Sequence, residues 1–165
     1  MRKYSRRPIE QRVTRAVERL LKEDRTLLDR DVNERSVSHK LAEYLQRSFR
    51  HWHVDCEYNR NHDMTKRLKW SREEEPVNSR KASTVYPDII VHRRDTDDNL
   101  LVVEIKKVEN SSPQSDERDR DKLRAFVGRP YNYQHGLFLK LSASEEPRLE
   151  WFPHGPGRTG PVSGR

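Results

Sequence analysis

Charged side chains interrupt the two most strand-like segments of this chain. Asp88 stands at the start of the apolar run "DIIVH", and Glu104 and Lys106 interrupt the run "LLVVEIKK". Because residues two apart on a strand share a face, Glu104 and Lys106 should point to one side of the strand and Ile105 to the other. The short polar turn between the runs predicts a hairpin, which would bring Asp88 within reach of Glu104.

Two adjacent carboxylates are typical of a site for a hard divalent cation. Asp88, Glu104, the main-chain carbonyl of Ile105 and waters would supply the all-oxygen ligands that Mg²⁺ prefers, and we expect Mn²⁺ to substitute. Lys106 beside them would orient or help deprotonate a water, or stabilise charge on a phosphorane-like transition state. The alternative is that Asp88 is a turn residue and that Glu104 and Lys106 belong to a solvated strand face.

A third acid, Glu34, comes from an upstream helix that apolar periodicity predicts at about 31–49. Glu34 projects from the inward stripe of that helix. Asp31, three residues earlier, resembles the start of a capping box, and Asn33 is a competing N-cap candidate. Glu34 is therefore either a third member of the site or only a capping acid.

The arrangement of these residues resembles the PD-(D/E)XK nuclease superfamily, whose fold is that of many restriction enzymes. The motif consists of Pro87-Asp88, a 15-residue gap and then Glu104-Ile105-Lys106. As in that family, the dipeptide falls at the start of one strand and the second part lies in the next strand.

The resemblance extends over about residues 31–142 and includes Glu34, which fits the inward glutamate that the helix before the sheet often carries in that family. It implies that Asp88 and Glu104 hold the metal, with Glu34 as an outer or second-metal ligand. It also implies that Lys106 acts on the attacking water. The implied activity is that of a Mg²⁺-dependent deoxyribonuclease, a hydrolase of phosphodiester bonds, with endo- or exonucleolytic cleavage left open.

The order of predicted elements is helix, helix, strand, strand, strand, helix, strand, strand. A strand–helix–strand unit over 100–142 implies a parallel pair, and the hairpin over 84–108 implies an antiparallel pair. We therefore predict an α/β fold of the restriction endonuclease-like type, with a central mixed β-sheet flanked by helices. The predicted helices are 8–23, 31–49 and 112–127, the last starting at Ser112 or Ser115, and the strands are 51–60, 84–93, 100–108, 135–143 and 148–154.

Composition along the chain predicts how these elements are organised. Residues 1–30 are interpreted as an N-terminal helical extension, and 31–152 as a nuclease-like core. The core contains a long polar stretch, about 61–83, that we interpret as a mobile basic loop. The Gly/Pro/Ser-rich tail 153–165 is expected to be disordered.

The net charge of +7 and the pI of about 9.7 favour a polyanionic partner, because neutralised phosphates release counterions. DNA is the expected substrate and RNA the alternative. In the basic loop, cationic side chains would grip the backbone while Trp70 stacks on a base, although a solvated loop is the simpler interpretation. The candidate nucleic-acid-binding residues are Arg60, Lys66, Arg67, Lys69, Trp70 and His92.

Other classes of protein are disfavoured by what the sequence lacks. Cys56 is the single cysteine, which excludes an internal disulfide framework and a zinc knuckle. No run has the roughly 18 apolar residues of a membrane span, and the basic N-terminus lacks the apolar stretch of a signal peptide. We therefore expect a cytoplasmic protein with no membrane partner.

The sequence leaves partners and biological role open. A homodimer would supply two sites for two strands, and a targeting partner protein would supply the specificity for which no reading element is evident. The short form suits a phage or defence-related protein by analogy. The alternative function is a non-catalytic nucleic-acid-binding or adaptor protein on the same fold.

Overall fold

The structure, a computed structural model, describes residues 3–29, 32–58 and 86–153 in full, and the main chain alone at 60–61, 64–65, 67–68 and 83–84. The helices in these ranges are α1 (Arg6–Glu23), α2 (Thr26–Asp29), α3 (Glu34–Ser48) and α4 (Pro113–Val127). The strands are β1 (His53–Cys56), β2 (Arg60–Asn61), β3 (Met64–Thr65), β4 (Arg67–Leu68), β5 (Ser83–Thr84), β6 (Ile89–His92), β7 (Asn99–Lys107), β8 (His135–Leu141) and β9 (Arg148–Pro153).

Five of the strands form a mixed sheet in the order β1-β6-β7-β8-β9. β7 and β8 run parallel and are joined through α4, while the other neighbouring pairs are antiparallel. Apolar residues of α1 and α3 cover one face of the sheet, and those of α4 cover the other. The predicted α/β class, the hairpin and the parallel pair are therefore confirmed.

The two helices on the first face begin where the sequence gives start signals. α1 starts at Arg6, two residues before the predicted start, with Pro8 in its first turn, where a missing N–H costs nothing. The side chain of Asn33 caps α3 by accepting a hydrogen bond from the Arg35 amide at 3.0 Å. Asn33 is thus the N-cap, while the other candidate, Asp31, lies outside the described residues.

The helix on the opposite face, α4, has unusually clear ends. The Ser112 hydroxyl accepts from the Ser115 amide at 3.1 Å, and the Ser115 hydroxyl accepts from the Ser112 amide at 3.0 Å. Both sequence candidates for the start therefore take part in one reciprocal cap. The helix ends at Gly128, as predicted.

α1 shares its hydrophobic cluster with α3 and the sheet. Its Leu20 is 0% exposed, as are Leu41 and Leu45 of α3. Burial of each such leucine stabilises the fold by about 1.5–3 kcal/mol. The segment interpreted as an N-terminal extension thus contributes to the same core as α3.

The end of β1 differs from the prediction. Strict alternation would place Tyr58 on the face of Val54 and Cys56, but Tyr58 packs in the cluster on the α4 side. Glu57 has a φ of 48°, a left-handed conformation that ends the strand and breaks its period of two. The four-residue helix α2 was also not predicted, because it is too short to show a helical period.

The region interpreted as a mobile basic loop contains two short antiparallel pairs, β2 with β3 and β4 with β5. Residues 69–82 and the tail 154–165 lie outside the described residues, so the predictions of mobility and disorder remain predictions. No helix in the described part of the chain is long and apolar enough to cross a membrane.

Candidate active site

The β6–β7 hairpin brings Asp88 and Glu104 together. Ile89 pairs with Val103 across the hairpin, so the same register continued by one residue places Asp88 opposite Glu104. The Asp88 carboxylate also accepts a hydrogen bond from the Ile105 main-chain amide at 2.7 Å. This bond fixes the side chain against β7, which is the cross-strand proximity that the sequence predicts.

Alternation along β7 separates its apolar and charged residues, as predicted. Val103 and Ile105 belong to the cluster under α1 and α3. Glu104 and Lys106 point to the other side, where they meet α4 through Lys122 and Asp119, respectively. The side chains of Glu104 and Lys106 therefore pack beneath α4 and do not form an open strand face.

Asp119 and Lys122 of α4 are site residues that the sequence analysis missed. Lys122 Nζ lies 3.1 Å from Glu104 Oε2 and 2.9 Å from Asp119 Oδ1. The second oxygen of Asp119 lies 3.0 Å from Lys106 Nζ. Their i, i+3 spacing puts them on one helix face. The segment "SDERDRDKLR" nevertheless offers several such pairs, so spacing alone could not select this one.

Glu34, the first residue of α3, reaches the site at its edge. Its Oε1 accepts hydrogen bonds from the Lys107 amide at 2.9 Å and from Asn110 Nδ2 at 3.3 Å. Its Oε2 lies 3.9 Å from Lys106 Nζ. Glu34 thus ties the start of α3 to the end of β7 and adds negative charge next to Lys106.

We call these six side chains the carboxylate cluster. Four carboxylates and two ammonium groups give it a formal charge of −2, which one divalent cation would balance. The members of the carboxylate cluster are Glu34, Asp88, Glu104, Lys106, Asp119 and Lys122.

Glu104 is the most deeply buried acid of the carboxylate cluster, with only 2% of its surface exposed. Its Oε1 has no hydrogen-bond partner among the described residues. Burial, followed by the nearby charge of Asp88, raises the pKa of Glu104 well above its ordinary value. Burial also raises the pKa of Asp88 to about 6. Both carboxyls are therefore held in surroundings that disfavour their charged form.

The two lysines of the carboxylate cluster also have raised pKa values, which for a lysine favours the charged form. Burial lowers the pKa of Lys106, but Asp119 and Glu34 outweigh it, and the net shift is upward. For Lys122, burial is likewise outweighed by Glu104 and Asp119, so its pKa is also raised. Both side chains consequently remain ammonium ions at neutral pH and act as hydrogen-bond donors.

The chemistry of the carboxylate cluster fits a hard cation in part. Asp88 and Glu104 supply adjacent anionic oxygens, and Oε1 of Glu104 is an acceptor with no donor among the described residues. Such oxygens, with the Ile105 carbonyl and water, match the preference of Mg²⁺. However, no group of three or more His, Cys, Asp and Glu side chains among the described residues is arranged to hold a metal. Any cation here would therefore retain several waters.

His92 is not exposed in the way that a contact with nucleic acid requires. It is on the α4 side of β6 but only 4% exposed, and its Nε2 lies 2.8 Å from Asp55 Oδ2. Its ring also packs 5.0 Å from that of Tyr58, so His92 faces protein. The other predicted contacts, Arg60, Lys66, Arg67, Lys69 and Trp70, have side chains outside the described residues.

Comparison with known proteins adds no family to these observations. No protein-family model matches the chain, and neither curated proteins nor solved structures show a significant match to it. The α/β fold and the carboxylate cluster are therefore the observations on which a functional proposal rests.

Proposed function

We propose that this protein is a Mg²⁺-dependent nuclease with a restriction endonuclease-like fold that hydrolyses phosphodiester bonds of DNA. One observation carries the proposal: Asp88 and Glu104 lie side by side on neighbouring strands, and a buried oxygen of Glu104 lacks a hydrogen-bond partner among the described residues. An unsatisfied buried carboxylate oxygen is costly, and a divalent cation bound at Glu104 would satisfy it.

In the proposed reaction, the oxygen of a water molecule bonds to phosphorus and one P–O ester bond breaks. One water proton ends on the released hydroxyl, and the other dissociates from the new phosphomonoester into solvent. A bound Mg²⁺, held by Asp88, Glu104 and the Ile105 carbonyl, would supply Lewis acidity and a more acidic water.

The raised pKa of Lys106 refines its proposed role. As an ammonium bonded to Asp119 at 3.0 Å, Lys106 donates hydrogen bonds, so its proposed role is to orient the attacking water or to offset phosphoryl charge. Glu34, 3.9 Å from the same ammonium, helps to hold it in place. In this structure Glu34 reaches the site through Lys106.

The substrate class follows from the charge of the whole chain. With a net charge of +7, the protein attracts polyanions over a distance set by ionic strength. DNA is the proposed substrate and RNA the alternative. Two copies of the chain, or a partner protein, would be needed to cut both strands together or to choose a target.

A cleavage assay tests this proposal directly. Plasmid, linear, single-stranded and branched DNA, and RNA, are incubated with the protein in Mg²⁺, Mn²⁺ or EDTA. Glu104→Gln removes one anionic ligand while conserving shape. Asp116→Asn is the matched control, because Asp116 is another buried acid on this side of the sheet and lies outside the carboxylate cluster. Each variant is assayed where circular dichroism shows it to be folded.

We expect metal-dependent cleavage by the wild-type protein and by Asp116→Asn, and none by Glu104→Gln. If the wild-type protein cuts no substrate in either metal, the nuclease proposal is wrong. Equal cleavage by the Glu104→Gln variant would place any activity outside this site.

A second function, a non-catalytic nucleic-acid-binding protein on the same fold, is favoured by the contact between Glu104 and Lys122. That ammonium already offsets the charge of Glu104, so the pair would be stable without a metal. Calorimetric titration with Mn²⁺ separates the two functions. Binding that is lost in Glu104→Gln supports the nuclease, and no binding by the folded wild-type protein supports the second function.

A further inference from the structure

Lys122 stands at the boundary between buried and exposed parts of the carboxylate cluster. Its ammonium contacts the buried Glu104, which is 2% exposed, yet a quarter of its own side-chain surface (25%) is open to solvent. A phosphate group approaching Glu104 from solvent would therefore meet this ammonium.

Asp119 links the two lysines of the carboxylate cluster. Its oxygens lie 3.0 Å from Lys106 Nζ and 2.9 Å from Lys122 Nζ, and 9% of its side chain is exposed. One carboxylate thus holds two like charges side by side, and it can neutralise only one of them. The second positive charge is balanced by Glu104 as long as Glu104 has no other cationic partner.

Charge balance changes when a divalent cation engages Glu104. The attraction between Glu104 and Lys122 then weakens, because the carboxylate charge is shared with the metal. Lys122 keeps its contact with Asp119 and has donor capacity left, since an ammonium carries three hydrogens. An anionic oxygen of the substrate is an acceptor that can take up this remaining donor capacity.

We propose that Lys122 is a second catalytic ammonium, which contacts the scissile phosphate, and that Asp119 is the positioning residue that orients Lys122 and Lys106. The inference rests on the proposed nuclease function and deepens it. Lys122 offsets the negative charge that develops on phosphoryl oxygens while the P–O ester bond breaks. Lys106 stays next to Glu34 and orients the water.

The test compares Lys122→Gln with Lys140→Gln. Lys140 is a matched control, because it also bonds an acid of α4, Asp116, and is partly exposed at 18%. Single-turnover cleavage is measured at saturating Mg²⁺, and Mn²⁺ affinity is measured by calorimetry without DNA. We expect Lys122→Gln to cleave about 10²-fold more slowly, as for loss of one charge-stabilising donor, with Mn²⁺ still bound. Lys140→Gln should match the wild type in both.

Asp119→Asn tests the positioning role with a readout that does not depend on cleavage. In ¹⁵N NMR of the lysine side chains, the bonds to Asp119 should protect the ammonium protons of Lys106 and Lys122 from exchange. We expect both signals to broaden in Asp119→Asn, while that of Lys140 persists. kcat should fall about tenfold with KM little changed, because orientation of donors is realised mainly in the transition state.

Each failure has a distinct pattern. Wild-type rates in Lys122→Gln would overturn the role of Lys122 and leave the nuclease proposal standing, whereas an inactive wild type overturns both. Loss of Mn²⁺ binding in Lys122→Gln would make Lys122 a support of the metal ligands only. Persistent Lys106 and Lys122 signals in Asp119→Asn would overturn the positioning role. If Lys122→Gln does not fold, Lys122→Met, which keeps an unbranched side chain without the charge, replaces it, and a wild-type rate there overturns the proposal.

Discussion

Two clusters of lysine and aspartate lie beneath the same helix, and they are built differently. Lys106 and Lys140 are register partners on the parallel strands β7 and β8, and each bonds an acid of α4. Lys140 pairs with Asp116, whose two oxygens also accept from the Ser111 hydroxyl at 3.0 Å. We call Ser111, Asp116 and Lys140 the Asp116 cluster. It is formally neutral, whereas the carboxylate cluster carries −2.

The pKa values of the buried acids differ between the two clusters. Burial alone would raise the pKa of Asp116, but the hydrogen bonds from Lys140 and Ser111 outweigh it and lower the pKa. For Asp88 and Glu104, burial outweighs the hydrogen bond from the Ile105 amide and the charge of Lys122, so the pKa of each acid is raised. These shifts predict that ionised Asp116 stabilises the fold at neutral pH, whereas ionised Asp88 and Glu104 destabilise it.

The largest expected difference between the two clusters is in the rate of cleavage, measured in Lys106→Met and Lys140→Met. Both changes remove an ammonium and keep an unbranched apolar chain. We expect cleavage to fall on the order of 10³-fold in Lys106→Met, because a positioned donor is lost from the reacting centre. Lys140→Met should retain the wild-type rate in the same assay. Equal losses in both variants would mean that the two clusters share one structural role.

The next contrast is in stability. Asp116→Asn should lower the free energy of unfolding by about 2 kcal/mol at pH 7, because it leaves the partly buried Lys140 without its carboxylate. Since the pKa of Asp116 is lowered in the folded state, its contribution is present above the unfolded pKa. It is lost as the pH falls through the folded value. Urea unfolding between pH 3 and 7 measures this, and a loss that does not change with pH would contradict it.

In the absence of metal, Asp88→Asn should increase the free energy of unfolding, whereas Asp116→Asn lowers it. The pKa of Asp88 is raised to about 6, so the folded state binds the proton more tightly, and stability decreases as the pH rises from about 4 to 6. Asparagine keeps an acceptor for the Ile105 amide. We expect Asp88→Asn to be more stable by about 1–2 kcal/mol at pH 8, after allowance for solvent screening. The gain should vanish near pH 4. Urea unfolding in EDTA would contradict this if the variant were less stable at pH 8.

The smallest effect is expected outside both clusters. Arg120 of α4 and Glu150 of β9 lie 2.9 Å apart, with 26% and 48% of their side chains exposed. Glu150→Gln should change the free energy of unfolding by no more than about 0.5 kcal/mol, as for most surface pairs. An effect as large as that of Asp116→Asn would show that exposed ion pairs of α4 stabilise the fold as much as buried ones do.

Much of the site could be predicted because it depends on short-range geometry. The period of two in β7 assigns Glu104 and Lys106 to one face, and the hairpin turn places Asp88 opposite Glu104. The period fails where one residue leaves the strand conformation, as Glu57 does with its φ of 48°. The spacing of apolar residues does not indicate a residue in the left-handed conformation. The face on which Tyr58 packs could therefore not be predicted from the sequence.

The chain by itself determined the α/β order of elements, the parallel and antiparallel pairs, and the carboxylates of the hairpin, because these depend on periodicity and on nearest neighbours in sequence. Only the tertiary structure decided that Asp119 and Lys122 of α4 close over Glu104, and that Glu104 is left with an oxygen that has no partner among the described residues. The reason is physical. α4 carries charges on most of its surface, and the packing of its few apolar residues against the sheet selects which of them are buried.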